Sequence, residues 1–325
     1  MRGYRWLIAI WATVAVFAVI TAIRSHQVGV PLRDPSGSIF RLRFALSLTL
    51  FAVLILADAV FRSRRGGFSV LKAFAEMRRR WPRERLALAL SGLLAYHLIY
   101  VCYRNLKSWV AFRPDQDEAL LRFDKWLFFG NSPAVLLHDL LGRDVAAHVL
   151  AVIYESFSVM VPVSFVAALV FANKIREGYV FLVAAIWIWI LGVGSYYLIP
   201  SLGPFTSAAK EFVGLSHTGP TDTQAKYLAS REQLLAHPEF HDSFASISAF
   251  ASLHTAFTFM VLLMMHYYGF RRITQFMVVY FSAVLVSTVY LGWHFVVDLP
   301  AGMLVAYLSV LIARWTVYPR GRRTP

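Results

Sequence analysis

Long apolar runs alternate along this chain with short polar segments, and a bilayer crossing takes about 20 apolar residues. On that measure the pattern predicts eight spans, at roughly 5–23, 44–61, 86–103, 146–172, 179–199, 249–268, 275–292 and 296–316. Such a chain must satisfy its backbone within each span, so the expected fold class is an all-α, polytopic transmembrane helix bundle. Two outer segments carry weaker patterns. In "RPDQDEALLRFDKWLFFGNSPAVLLHDLLG" aromatic and charged residues recur at near-helical spacing, which predicts an interfacial helix. "TDTQAKYLASREQLLAH" predicts a short helix starting near Thr221 and Asp222, read here as a plain connection between spans.

The charge pattern orients the spans. Residues 62–85 hold nine basic and two acidic side chains, which places this loop in the cytoplasm. Alternating from there, "NKIREG", "GFRRI" and the tail "YPRGRRTP" also fall inside, and each is basic. Residues 104–145 fall outside with six basic and six acidic groups, and residues 201–247 fall outside with three and five. Both termini are expected inside. The connection carrying Arg33, Arg41 and Arg43 departs from this rule, since it is basic yet falls outside.

Composition agrees with the pattern: 58% of residues are hydrophobic and only 15% charged, where soluble domains are nearer half and a quarter. The formal charge of +14 would suit nucleic acid, but it sits in short loops between spans, so no nucleic-acid partner is expected. The start, "MRGYRWLIAIWATVAVFAVITAIRS", has a basic head and a long apolar run without a small-residue cleavage site, and reads as a retained anchor. Cys102, the one cysteine, is expected to be a packing residue.

Against this background, "ASLHTAF" and "STVYLGWHFVVDLPAGM" stand out. His254 and His294 are 40 residues apart, about 60 Å of helix, or one crossing down and one back. Both histidines therefore return to the outer face at neighbouring helix ends. Asp298 lies one turn from His294, where a carboxylate can hold an imidazole N–H and set the tautomer. The second histidine is then free to give a proton to a leaving group. A single helix-end histidine is commonly an interfacial residue bonded to backbone, but two of them with a paired intramembrane aspartate point to function.

These motifs resemble those of the type 2 phosphatidic acid phosphatase (PAP2) superfamily, and "STVYLGWHFVVD" is most similar to its inositol phosphorylceramide synthase-like branch. The resemblance runs from about residue 96 to 315 and says little about the first 95. It implies a six-helix catalytic membrane domain over residues 86–325, preceded over 1–85 by two helices and the basic loop. It also implies His294 as a nucleophile that takes the phosphoryl group, Asp298 as its orienter, His254 as the acid and Ser252 as a ligand of a phosphate oxygen.

Two positions depart from the superfamily pattern. Ala251 stands where proline precedes the serine, and Thr288 stands where an arginine lies six residues before the second histidine. The second departure is similar to the synthase-like branch, and it leaves the phosphate short of a cation. Arg104 and Lys107 in "YVCYRNLK" are the candidates, since a guanidinium grips phosphate in two-pronged fashion. "YYLIPSLGPF" is similar to a Pro-rich outer turn of that branch, which implies a pocket wall that includes Tyr197, Pro200 and Gly203. Tyr290 is a further candidate contact.

The resemblance implies a membrane lipid phosphotransferase acting on a phospholipid or polyprenyl-linked phosphate. The acceptor would be a lipid or small alcohol, with water as the acceptor in the phosphatase alternative. No cofactor and no metal is expected. The rival metal motif, "HPEFHD" with His237 and His241, has proline where a zinc-hydrolase helix needs glutamate. Glu155 in "VIYESF" is expected to line the pocket or pair with a cation. A proton-relay transporter or scaffold is the non-enzymatic alternative, but it predicts polar groups spread through the midplane rather than gathered at one level. The site is expected on the extracytoplasmic side of the cell membrane.

Overall fold

A computed structural model describes residues 4–64, 69–240, 243–319 and 321. Among these every regular element is a helix and there is no strand. Seven helices are long and apolar enough to cross a membrane: α1 (Arg5–Val28), α2 (Ser38–Ser63), α4 (Arg83–Trp109, continued by a 3₁₀ turn to Phe112), α7 (Val145–Phe171), α8 (Ile175–Leu198), α12 (Arg271–Tyr290) and α13 (Asp298–Val317). The protein is a polytopic helical bundle. Short helices fill the connections: α3 (Val70–Arg80), α5 (Asp117–Leu127), α6 (Pro133–Leu141), α9 (Pro204–Ser207) and α10 (Gly219–Ala236).

The sixth expected span, 249–268, is shorter than its hydropathy suggests. Its helix, α11, covers only Leu253–Tyr267, about 22 Å of rise against a core of about 30 Å. The residues before it are not helical, and their backbone is satisfied by the end of α8 instead. Ala249 N–H donates to Ser201 O at 2.9 Å, Phe250 N–H to Ser201 Oγ at 2.9 Å, and Ala251 N–H to Ser195 Oγ at 2.9 Å. Irregular backbone at this depth is tolerated because protein groups replace the missing helical bonds. The helix therefore starts at Ser252, whose hydroxyl accepts the Thr255 N–H, two residues before His254.

The interfacial helix expected over the first outer segment is two helices, α5 and α6. Phe129 and Gly130 both have positive φ, and Pro133 restarts the helix in its first turn. Trp126 and Phe129 are 72% and 96% exposed, as aromatic anchors at a membrane surface would be. Helix α10 begins earlier than expected, at Gly219, with a Thr218–Thr221 capping box.

Helix α8 is the axis of the bundle. It is buried over 78% of its most apolar stretch, against 28% for α1, α2 and α7, whose outer faces carry the apolar side chains that meet lipid. It packs against α4, α7, α11 and α13. At one end of the bundle the basic segments clamp helix C-termini, where backbone carbonyls lack partners. Arg80 and Arg85 donate to the carbonyls of Val170 and Ala172, and Arg176 donates to Val317 O at 3.0 Å. The opposite end, called outer below, gathers the polar residues of the candidate site.

Candidate active site

The outer ends of α12 and α13 are joined by a seven-residue loop that carries His294, and most of its shape follows from unmet carbonyls. The last turn of a helix leaves its C=O groups without partners, and here each nearby one is taken. Thr288 O accepts the N–H of Trp293 (3.0 Å) and of His294 (3.3 Å), folding the chain back on the helix end. His138 Nε2 on α6 meets Tyr290 O at 2.8 Å, the Gln224 amide on α10 donates to Leu291 O at 2.8 Å, and Phe205 N–H donates to Gly292 O at 3.0 Å. Gly292 has φ +74°, and a Cβ there would lie 2.6 Å from the Phe212 ring, so only glycine fits. Thr288 turns its own hydroxyl onto Leu285 O. Its service to the site is through its backbone.

Beyond the loop, His294 Nδ1 lies 3.3 Å from Asp298 Oδ2, and the same oxygen accepts the Phe295 N–H at 2.9 Å. Both side chains are buried. With Nδ1 held by the carboxylate, Nε2 is the nitrogen left for chemistry. The His254 ring lies 5.9 Å from the His294 ring, centroid to centroid. It is stacked on Tyr154 at 4.2 Å and lies 4.1 Å from the Phe157 ring, centroid to centroid, so its surroundings are aromatic. Tyr154 in turn stacks on Trp293 at 5.4 Å.

The two imidazoles form part of the wall of a cavity of about 1060 Å³, which Arg104, Lys107 and Glu155 also line. The Arg104 guanidinium lies 4.1 Å from the Phe244 ring centroid and the Lys107 ammonium 5.3 Å from that of Tyr196, so each cation is carried on an aromatic face rather than paired with a carboxylate.

Other sequence-derived candidates sit elsewhere. Ser252 is fully buried as the N-cap of α11; its hydroxyl accepts from Thr255 N and Thr255 Oγ1, and it does not line the cavity. Tyr197 points away and donates its hydroxyl to Leu106 O at 2.9 Å, because its neighbour Tyr196 occupies the cavity-facing position on α8. Tyr290 donates to Gly142 O at 2.6 Å and ties α12 to the α6 connection. Gly203 lies behind the His294 loop: it has φ +116°, and a Cβ there would lie 2.7 Å from Trp293 O. Pro200 O accepts the Gln116 N–H at 2.8 Å, and neither residue lines the cavity. Helix α10 does more than connect two spans, since Thr223, Lys226, Tyr227 and Ser230 line the cavity from one helix face. His241 of "HPEFHD" lies outside the described residues.

Sequence reading missed the carboxylates of α5. Asp117 accepts the N–H of Leu202 (2.8 Å) and of Gly203 (2.7 Å), and Asp124 accepts the N–H of Val296 (2.7 Å) and of Val297 (3.3 Å). One interfacial helix thus holds both the Pro-Gly turn and the entry to α13, the two supports of His294. Seven-residue spacing, two helical turns, aligns these aspartates on one face. That periodicity is visible in "DEALLRFD", although exposed and buried carboxylates look alike in sequence. Burial pushes both carboxyls up to about 6 despite the backbone hydrogen bonds they accept.

Asp124→Asn is expected to lower kcat about 10- to 100-fold with a smaller change in KM, because misplacing a reacting group by about 1 Å costs up to 10²-fold. Steady-state kinetics measure this split. The pH dependences of activity and stability also separate here. The carboxyl titrates near 3.8 when unfolded and near 6 when folded. Its contribution to stability is therefore full below about 4 and lost as pH rises through 6, whereas its acceptor strength is full only above 6. The Asn variant should accordingly keep its melting midpoint at pH 7.5 while losing rate.

No curated protein and no solved structure matches the chain. A family model described as the PAP2 superfamily does match, over residues 118–312, from α5 into α13. That stretch is more than half of the chain and includes both histidine motifs and Asp298, so the protein belongs to the PAP2 superfamily.

Proposed function

We propose that the protein is a membrane lipid phosphotransferase working through a phosphohistidine, in the manner of the inositol phosphorylceramide synthase-like branch. The observation that carries this reading is the meeting of His254 and His294 over one cavity, with His294 Nδ1 turned onto buried Asp298. In the first step His294 Nε2 attacks the phosphorus of a phospholipid or polyprenyl-linked phosphate. The bond to the leaving oxygen breaks, and His254 supplies that oxygen with a proton. In the second step His254 takes the proton of an acceptor alcohol, whose oxygen attacks the phosphohistidine and frees His294. Arg104 and Lys107 meet the charge on the phosphoryl oxygens, so the reading calls for no metal ion.

Transfer is favoured over hydrolysis by the cover of the cavity. Helix α10 supplies one wall through Thr223, Lys226, Tyr227 and Ser230, and sheltering a reactive intermediate from water favours an alcohol already bound. The volume is also at the upper end of small-molecule pockets, which are about 300–1,000 Å³, and leaves room for a donor head group beside an acceptor. Purified protein given a radiolabelled phospholipid and a panel of lipid and polyol alcohols should form labelled adducts in excess of free phosphate. If inorganic phosphate dominates whatever alcohol is supplied, the protein is a lipid phosphate phosphatase using the same residues.

The basic loops lie at the end of the bundle opposite the histidines, which supports a site open to the extracytoplasmic side of the cell membrane. Ser201 is only 3% exposed and unsuited to labelling, and Gly66 lies outside the described residues. The side chains of Arg122 and Arg79 are 75% and 77% exposed. In a Cys102→Ala background, Arg122→Cys should react with an impermeant thiol reagent on intact cells and Arg79→Cys should not. The reverse pattern would place the site in the cytoplasm.

A further inference from the structure

The cavity has more positive charge than one phosphoryl group needs. Besides Arg104 and Lys107 it is lined by Arg43 of α2 and Lys226 of α10. Among the described residues none of these four forms an ion pair. Two carboxylates share the wall, Glu155 and Asp34. Asp34 is already engaged at the start of α2, accepting the N–H of Ile39 at 3.0 Å and of Phe40 at 3.1 Å and the hydroxyl of Ser38 at 2.9 Å. Four cations against two carboxylates leave a net positive wall that suits an anion, with Arg104 and Lys107 half-buried and Arg43 and Lys226 exposed.

The cations also fall into two groups. Tyr100, Arg104 and Lys107 recur at i, i+4 and i+7, one face of α4. Lys107 ends that row beside Tyr196. At the other end Tyr100 carries Arg43 across the α2–α4 contact. The Arg43 guanidinium lies 4.6 Å from the Tyr100 ring centroid, and both arginines line a smaller recess adjoining the main cavity, beside Asn105 and Phe244. That recess has room for little more than one water, but both arginines also line the cavity of about 1060 Å³, where a phosphate can meet two guanidiniums that have no carboxylate partner. Arg43 and Arg104 both precede the stretch that the family model matches, residues 118–312.

We infer that Arg43 and Arg104 form a second phosphate subsite, which holds a phosphate of the substrate that is not transferred. The proposal rests on the phosphotransfer reading above and adds a substrate class to it: one member of the reacting pair carries an additional phosphate. That group has two sources, the inner phosphate of a lipid diphosphate donor, which stays on the departing lipid monophosphate, or the phosphate of a phosphorylated polyol acceptor. The same subsite gives a role to Arg43, one of the three basic residues near the outer start of α2 that depart from the charge rule for loops.

The full chain in detergent provides the test, with Arg43→Gln and Arg43→Lys. In one arm the donors are a polyprenyl monophosphate and the matching diphosphate. In the other the donor is a phospholipid and the acceptors are a polyol and its monophosphate. Wild type should prefer the additional phosphate by at least about 10-fold in kcat/KM in one arm, which identifies the source. Arg43→Gln should erase that preference through KM, and Arg43→Lys should restore it only in part, since an ammonium lacks the fork. Equal use of both members in both arms by wild type would overturn the proposal, as would equal losses on both in Arg43→Gln. A binding measurement separates this outcome from failure of the transfer reading. Inorganic pyrophosphate should raise the melting midpoint of His294→Ala more than inorganic phosphate does, and Arg43→Gln in that background should abolish the difference. A difference that persists with no transfer in either arm would leave the subsite standing and remove the transferase; no difference would remove the subsite.

Discussion

Purified His294→Ala is expected to lose turnover by about 10⁴-fold or more and to form no covalent phosphoenzyme, because a nucleophile has no substitute once its side chain is gone. The fold should persist. The histidine sits in a loop held by backbone bonds from Thr288, His138, Gln224 and Asp124, none of which involves its imidazole. Truncation does leave Asp298 with one fewer partner, but Oδ2 keeps the Phe295 N–H. Asp298→Asn should lose less, about 10²-fold, since an amide preserves the contact while weakening the preference for the productive tautomer. The measurement is phosphoenzyme trapping with labelled donor in acid and in base, where phosphohistidine is labile in acid and stable in base. Label retained in His294→Ala, or full turnover in that variant, would remove the nucleophile from this position.

His254→Ala should produce the second largest loss, and its size should depend on the leaving group. General acid catalysis contributes about 10²–10⁴-fold, and it matters most when the departing oxygen is strongly basic. A lipid alkoxide is such a group; an aryl oxide is not. The variant should therefore lose about 10³-fold with a phospholipid donor and far less with an aryl phosphate that the cavity admits. Equal losses on the two donors would mean that His254 acts by position, through its stack on Tyr154 and Phe157, rather than by proton transfer. Phosphoenzyme should still form slowly in this variant, which separates its role from that of His294.

The two histidines and the clamp that holds them differ in how far they are legible in the chain. Spans follow from apolar length, since a bilayer admits few other solutions. The approach of His254 to His294 follows from length as well: 40 residues return to the same level. Both of these depend on distances along one or two helices, and one-dimensional spacing carries that information. The pairing of Asp298 with His294 also shows as a four-residue spacing, but not by the expected helical repeat: His294 lies in the loop and Asp298 opens α13, so a turn closed by the Phe295 N–H on Asp298 Oδ2 brings them together.

Only the tertiary structure decided the rest, because it depends on which unrelated segments meet. Helix α11 is shortened because Ser195 and Ser201 capture the backbone of residues 249–251, a competition that hydropathy cannot register. Ser252 became a cap, and Tyr196 rather than Tyr197 faced the cavity, because rotation about a helix axis is set by its neighbours. Asp117 and Asp124 look like surface charges of an interfacial helix until the turns at residues 202–203 and 296–297 present bare N–H groups to them. Arg43 lies 61 residues before Arg104, and their meeting depends on how α2 packs against α4. Spacing along a helix sets which groups share a face; the packing of helices sets what that face meets.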